Sequence, residues 1–167
     1  TLADCFLPAA TRALFNSFVE KKSVPHLLLS GTPGIGKTTA AICMLNDIGA
    51  EYISINGSMK GSIDTLRNDI QQFAQTISWN GEKKYVILDE ADNLSKAMQL
   101  GLRGFIEEYS VNCGFIFTCN YRSKIEDAIA DSRLMSEIEF TFRAAERQDL
   151  AKALYKKLTA VLTENNV

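Results

Sequence analysis

Gly31-Thr32-Pro33-Gly34-Ile35-Gly36-Lys37-Thr38 satisfies the phosphate-binding pattern G-x-x-x-x-G-K-[ST] at every required position. An apolar run, His26 to Ser30, leads directly into it. A run with helical spacing, Thr39 to Ile48, follows directly. This strand–loop–helix setting is what the pattern needs to act as a phosphate cradle. Glycines let the backbone curl so that its N–H groups face phosphate oxygens, and the helix N-terminus adds partial positive charge. In such a loop Lys37 reaches the outer phosphates and the Thr38 hydroxyl holds Mg²⁺. The stretch therefore implies binding of a nucleoside triphosphate.

Working outward, strands alternate with helices. Leu27–Leu29 is continuously apolar, as expected of a parallel strand buried on both faces. Upstream, Thr11 to Lys22 reads as an amphipathic helix. Downstream come a strand at Tyr52–Ile55, a helix at Ser62–Ile77 and a strand at Tyr85–Leu88. A helix capped by Ser95 runs to about Tyr109, followed by a strand at Gly114–Cys119. A short helix at Ile125–Ala130, a strand at Ile138–Phe142 and a long helix at Ala144–Leu162 complete the series. The alternation predicts an α/β fold with a doubly wound, five-stranded parallel sheet.

The 167 residues suffice for one buried α/β domain and the start of a second. A formal net charge of -2 gives no global basic field, so binding to nucleic acid would need a local patch. Cys5, Cys43, Cys113 and Cys119 form no C-x-x-C pair, and His26 is the single histidine, so no zinc set assembles. Cys43, Cys113 and Cys119 read as buried, reduced thiols of a cytoplasmic protein. No apolar run reaches membrane-spanning length. His26 reads as a strand-edge residue, and Trp79 beside Asn80-Gly81 as a packing residue.

A second signal is Val86-Ile87-Leu88-Asp89-Glu90. Two carboxylates end an apolar strand at its C-terminal tip, where α/β sheets place ligands. Asp89 would hold Mg²⁺, and Glu90 would take a proton from the water attacking the γ-phosphate. The bland alternative is a strand running into an acidic turn. A third signal is Thr118-Cys119-Asn120. If this strand lies between the phosphate-loop strand and the acidic one, Asn120 sits by the γ-phosphate and orients the water. Otherwise it is a turn asparagine. The fourth is Asp131-Ser132-Arg133, where Arg133 either faces a neighbouring subunit's nucleotide or is a surface arginine paired with Asp131.

These segments together resemble the AAA+ P-loop NTPase family, and more closely the ATPase subunits of sliding-clamp loaders of the replication factor C small-subunit kind. The phosphate loop, Asp89-Glu90-Ala91-Asp92, the stretch Leu102-Arg103 to Glu107-Glu108-Tyr109-Ser110, Cys119-Asn120 and Ser132-Arg133 occur in that family's order. The resemblance is nearest to the subunit of T4-like bacteriophages, through Asn56-Gly57-Ser58, Trp79-Asn80-Gly81 and Tyr109 to Cys113. It implies that residues 1–143 form the ATPase core and 144–167 begin a helical lid. It implies that Gly34, Ile35, Gly36, Lys37, Thr38 and Thr39 bind ATP, and that Thr38 and Asp89 bind Mg²⁺. Glu90 is then the base, Asn120 the sensor and Arg133 the finger offered to the adjacent subunit. The implied partners are a sliding clamp, primer–template DNA and other subunits of a ring. The implied setting is cytoplasmic, a bacterial host's cytoplasm if the chain is phage-encoded.

Departures qualify the likeness. The family's Ser-Arg-Cys reads Ser132-Arg133-Leu134, and no zinc module lies between Ile55 and Leu66. The family's Tyr-Arg-Pro segment would precede Thr1, and its second-sensor arginine and collar would follow Val167, as expected of a fragment. DNA phosphate contacts fall by resemblance on Lys60, Ser62, Arg67, Lys96 and Arg103. The alternative for these lysines is a solvated surface. Two other readings stand beside clamp loading. One is another AAA+ machine, such as a helicase loader or branch-migration motor. The other is a non-hydrolysing scaffold, against which Lys37, Asp89, Glu90 and Asn120 together argue.

Overall fold

In the computed structural model, strands β1 (His26–Ser30), β2 (Tyr52–Asn56), β3 (Lys84–Asp89), β4 (Cys113–Cys119) and β5 (Met135–Glu139) pair in the order β2-β3-β4-β1-β5. Every pairing is parallel. The structure describes residues 1–58, 63–76, 78, 83–130 and 135–142, with 146–148, 151–152, 154–156, 159 and 163 beyond them. Helices α1 (Ala9–Glu20), α2 (Lys37–Ile48), α3 (Ile63–Gln75), α4 (Lys96–Tyr109) and α5 (Asp127–Ala130) accompany the sheet.

The side-chain alternation of a strand decides which helix covers which face. Leu27 and Leu29 of β1, Ile87 of β3 and Ile116 of β4 pack with Phe15 of α1 and Ala41, Met44 and Leu45 of α2. Leu28, Val86, Leu88, Phe115 and Phe117 point the other way, onto Leu66 and Ile70 of α3 and Leu102 and Ile106 of α4. Each fully buried leucine or phenylalanine stabilises the fold by about 1.5–3 kcal/mol relative to leaving it in water. The sheet is therefore held from both sides, and the C-terminal tips of β1, β3 and β4 are fixed relative to one another.

The β1-to-β2 connection skips two strands, so β4 lies between β1 and β3, as the reading of Asn120 required. Ser95 caps α4, its hydroxyl accepting from Met98 N at 3.3 Å. The fifth strand departs from expectation. It spans Met135–Glu139 rather than Ile138–Phe142. The apolar alternation Ile138, Phe140, Phe142 drew the prediction, but the ladder with β1 pairs His26 with Met135 and Ser30 with Glu139. As an edge strand, β5 exposes Ser136, Glu137 and Glu139, which hides it from hydrophobic patterning. Phe140 N still donates to Ser30 O at 2.8 Å, one bond past the strand. The short helix begins at Asp127 rather than Ile125, after a 3₁₀ turn at Arg122–Lys124.

His26 is not at an edge. It opens β1 between β4 and β5 and is 5% exposed. Its ring stacks on Phe115, and its Nδ1 accepts the Phe115 N–H at 3.0 Å. Burial pushes its pKa down to about 4, with the charge of Lys83 adding. All four cysteines are free. Cys113 and Cys119 are buried as expected, whereas Cys43 is half-buried and Cys5 is the third buried thiol. The predicted Trp79 packing and the Asn80-Gly81 turn lie outside the described residues. Within the predicted helix at Ala144–Leu162, residues 146–148, 151–152, 154–156 and 159 are helical, as is 163 just beyond it.

Candidate nucleotide-binding site

The phosphate-loop pattern becomes geometry through two glycines. Gly34 has φ +75° and Gly36 φ +88°, left-handed backbone that side chains with a Cβ rarely adopt. Gly36 is the N-cap of α2, so the first N–H groups of that helix open onto the loop. The loop, Thr38 and Thr39, Asp89, Glu90 and Asn120 line one cleft of about 280 Å³. Three separate strands thus deliver their tips to one place. The cleft holds every residue expected to bind triphosphate or metal except Ile35, which lines the adjoining cavity.

Polar contacts tie these tips together. Lys37 Nζ donates to the carbonyls of Gly31 at 2.8 Å and Thr32 at 3.1 Å, and to Asn120 Oδ1 at 3.0 Å. Burial pushes the Lys37 pKa down. Thr38 Oγ1 donates to Asp89 Oδ1 at 2.6 Å. A hydroxyl and a carboxylate oxygen side by side are the hard-oxygen donors Mg²⁺ prefers, so the residues fit the ion. A loop curled by two left-handed glycines into the start of α2, with the Lys37 ammonium beside it, fits a polyphosphate equally well.

Four residues not assigned a role in the sequence complete the site. Thr118 Oγ1 donates to Asp89 Oδ1 and accepts the Glu90 N–H at 3.2 Å. It thereby locks both acids to β4. Glu90 itself is left-handed, with φ 54° and ψ 45°, a strained conformation for a residue with a Cβ. Ser58 Oγ donates to Glu90 Oε2, and Asn93 Nδ2 donates to both Ser58 Oγ at 2.8 Å and Glu90 Oε2 at 3.4 Å. Asp92 is buried, and its Oδ2 accepts the N–H groups of Asn120 and Tyr121 at 3.3 and 3.2 Å. Asn120 is thus positioned by its backbone through Asp92 and by its side chain through Lys37. Asp92 and Thr118 belong to motifs visible in the sequence, which gave them away in part. Ser58 belongs to the Asn56-Gly57-Ser58 stretch but was given no part in the nucleotide site, and Asn93 carries no such signal.

Beside the cleft, and sharing Gly34, Gly36 and Thr39 with it, is a second cavity of about 360 Å³. Cys5, Phe6, Ile35, Cys43, Phe142 and Leu154 give it a largely apolar wall. An apolar slot contiguous with a phosphate cradle suits a nucleobase and its sugar.

The remaining expected residues are dispersed. Arg133, Lys60 and Ser62 lie outside the described residues. Arg67 packs between α3 and α4, its guanidinium over the Phe105 ring at 5.4 Å and its Nη2 donating to Gly101 O at 3.5 Å. Lys96 and Arg103 are exposed on α4, in ion pairs with Glu126 at 3.1 Å and Glu107 at 3.2 Å. None of these three lines the cleft.

The sheet order and the cleft define a P-loop nucleotide-binding domain. The model of the ATPase family associated with various cellular activities (AAA) matches residues 27–142, more than half of the chain. The chain belongs to the AAA ATPase family. It is 39% identical over 144 residues to the replication factor C small subunit of Methanococcus vannielii, covering 83% of this chain and 44% of that protein. It is 42% identical over 120 residues to the replication factor C small subunit of Methanosarcina mazei, covering 68% and 36%. The chain thus spans less than half the length of the curated relatives it matches. Among solved structures it is similar to the Thermotoga maritima RuvB Holliday junction branch migration motor, with a TM-score of 0.63 at 17% identity, covering 83% of this chain and 47% of that one. A point mutant of the same motor gives a TM-score of 0.66 at 16% identity, covering 92% and 53%. At that identity the likeness concerns the fold.

Proposed function

We infer that the chain is the ATPase part of one subunit of a ring-shaped clamp loader, which uses ATP to place a sliding clamp on primer–template DNA. The observation that carries the ATPase half is the convergence of Lys37, Thr38, Asp89, Glu90 and Asn120 in one cleft. The clamp-loading half is supported by the relatives named replication factor C small subunit. The RuvB likeness is confined to fold and does not favour branch migration. The nearness to T4-like phage subunits rests on Asn56-Gly57-Ser58 and its companion stretches. A cytoplasmic setting goes with this reading; no helix among the described residues is long and apolar enough to cross a membrane.

Residues 1–143 serve as the core and 144–167 begin the lid. Backbone N–H groups of Gly34 to Thr39 receive the triphosphate, and the apolar cavity takes the adenine. Lys37 neutralises the outer phosphates, and burial makes its charge count for more. Thr38 and Asp89 hold Mg²⁺, which when bound neutralises charge on the phosphate oxygens. Glu90 accepts the proton of the attacking water, after giving up its bonds to Ser58 and Asn93. Asn120 orients that water. Arg133 reaches the neighbouring subunit's ATP. Lys60, Ser62, Lys96 and Arg103 meet DNA phosphates, and Arg67 packs on α4. Such contacts read backbone, so binding is insensitive to sequence and steeply weakened by salt.

The test uses the full-length protein. Its ATP turnover should rise on adding primed DNA with clamp, and Glu90→Gln should retain ATP binding while abolishing turnover. Turnover indifferent to clamp and primed DNA would remove the clamp-loading half. Unchanged turnover in Glu90→Gln would remove Glu90 as the base.

A further inference from the structure

The apolar cavity beside the phosphate cleft is walled in part by two thiols. Cys5 ends the first 3₁₀ turn (Leu2–Asp4), and Cys43 sits on α2 one turn after Thr39. The turn is strapped down at both ends. Leu2 N donates to Asp47 Oδ2 at 2.7 Å, and Cys5 O accepts from Arg12 Nη2 at 2.6 Å. The Leu2–Asp47 bond seats this turn on α2, and Cys5 and Cys43 line the same cavity wall, near enough for Cys43 to raise the Cys5 pKa. Cys5 Sγ also lies 3.7 Å from Thr1 O. The other two cysteines, on β4, are buried in the core on the opposite face of the sheet.

We propose that Cys5 and Cys43 are a redox pair that forms a reversible disulfide across the wall of this cavity, and that a nucleotide base seated there shields it. The shielding half rests on the nucleotide reading above; the disulfide itself does not. Packing supports the roles. Cys43 is half-buried and faces the cavity, so an incoming small-molecule disulfide meets it first. Cys5 is 9% exposed, and burial together with the nearby Cys43 pushes its pKa up to about 11. It is therefore a poor first nucleophile and a well-placed second one.

The chemistry balances. The Cys43 thiolate attacks one sulfur of the external disulfide, forming a mixed disulfide and releasing one thiolate. Cys5 then attacks Cys43 Sγ, forming the Cys5–Cys43 bond and releasing the second thiolate. The two thiol protons end on the two released thiolates. The protein dithiol loses two electrons, and the external disulfide gains them. Two thiols on one cavity wall, one of them at the end of a short turn seated on the helix that carries the other, are placed to be brought to bonding geometry.

Oxidised glutathione is a suitable probe. The reduced chain is exposed to it, quenched with an alkylating agent and mapped by mass spectrometry without reduction. The expected product is one internal Cys5–Cys43 link, lighter by two hydrogens, with Cys113 and Cys119 alkylated only after unfolding. Cys5→Ala should stop at a stable glutathione adduct on Cys43, and Cys43→Ala should stay unmodified over the same exposure. A wild-type chain that ends as the Cys43 adduct, or links through Cys113 or Cys119, would overturn the pair. With a non-hydrolysable ATP analogue and Mg²⁺, and occupancy measured separately by equilibrium dialysis, the link should form roughly tenfold more slowly. An undiminished rate at full occupancy would overturn the shielding. Absence of binding in dialysis would overturn the shielding and the nucleotide reading together, while the nucleotide-free mapping still decides the pair.

Discussion

Acidification should destabilise this protein through its one histidine. His26 is buried, and its Nδ1 serves as an acceptor for the Phe115 N–H. Protonation turns that acceptor into a donor facing another donor, and places a charge against the Phe115 ring inside the sheet. The folded chain accordingly holds the pKa near 4, against 6.5 when free. The sign follows from linkage. Between the two values the unfolded chain binds the proton and the folded chain does not, so stability falls as pH falls. The contribution is complete above about pH 6.5, is lost progressively down to about 4, and is flat below. Each pH unit in that window is worth about 1.4 kcal/mol, so the swing is about 3 kcal/mol, a large share of a typical domain's stability. Urea unfolding followed by circular dichroism at several pH values between about 4.5 and 7.5 gives the curve, and His26→Gln gives the background from carboxylates. The wild-type curve should be steeper than that of the variant by about 1 kcal/mol per pH unit. Parallel curves would refute the argument. So would an NMR titration of the single imidazole in the folded protein near its ordinary pKa.

Other substitutions test the site and the sheet beneath it. Gly114→Ala puts a methyl group into the Tyr85 ring, which its hydroxyl tethers to Val24 N and O at 3.2 and 3.3 Å. We expect a loss of about 2 kcal/mol, read as a fall of about 6 °C in Tm; an unchanged Tm would mean that the ring moves freely. Ser58→Ala frees Glu90 Oε2 from its hydroxyl partner and leaves Asn93 without its nearer acceptor. Release of about 1 kcal/mol should speed single-turnover hydrolysis in the full-length protein roughly fivefold; a slower or unchanged rate would make Ser58 a support for Glu90 rather than a restraint. Thr118→Val keeps the strand's shape but removes the hydroxyl that serves Asp89 and Glu90. Hydrolysis should fall about tenfold and stability by about 1 kcal/mol, checked by quench-flow and thermal melting.

What could be read from the chain divides along physical lines. The phosphate loop was legible because a backbone with two left-handed residues demands glycines at set spacings, and that demand is written locally. The strands β1, β3 and β4 were legible because burial on both faces makes them continuously apolar. Strand β5 was misplaced because it lies at an edge, where only the ladder to β1 fixes its register. His26 was read as an edge residue because a polar side chain in a buried strand has no local signature. Its partner is an N–H that only the β1–β4 pairing brings near.

The same division explains the site. Asp89, Glu90 and Asn120 stand at the ends of apolar runs, and their chemistry follows from residue type. Thr118, Ser58 and Asn93 act only through the sheet order, which sets β4 beside β3 and the end of β2 beside Glu90. These contacts have an energetic consequence that the motif alone does not carry. Lys37 is bonded to Asn120, Thr38 to Asp89, and Glu90 to Ser58 and Asn93. Bringing a magnesium triphosphate into the cleft therefore exchanges bonds rather than simply adding them. Each exchanged pair nets about 1 kcal/mol rather than the several a bare group would give. On the proposed reading, much of the affinity then comes from the loop N–H groups, the desolvated Lys37 charge and the apolar wall of the adjoining cavity. Truncating that wall at Phe142 or Ile35 should weaken nucleotide binding without touching any phosphate contact.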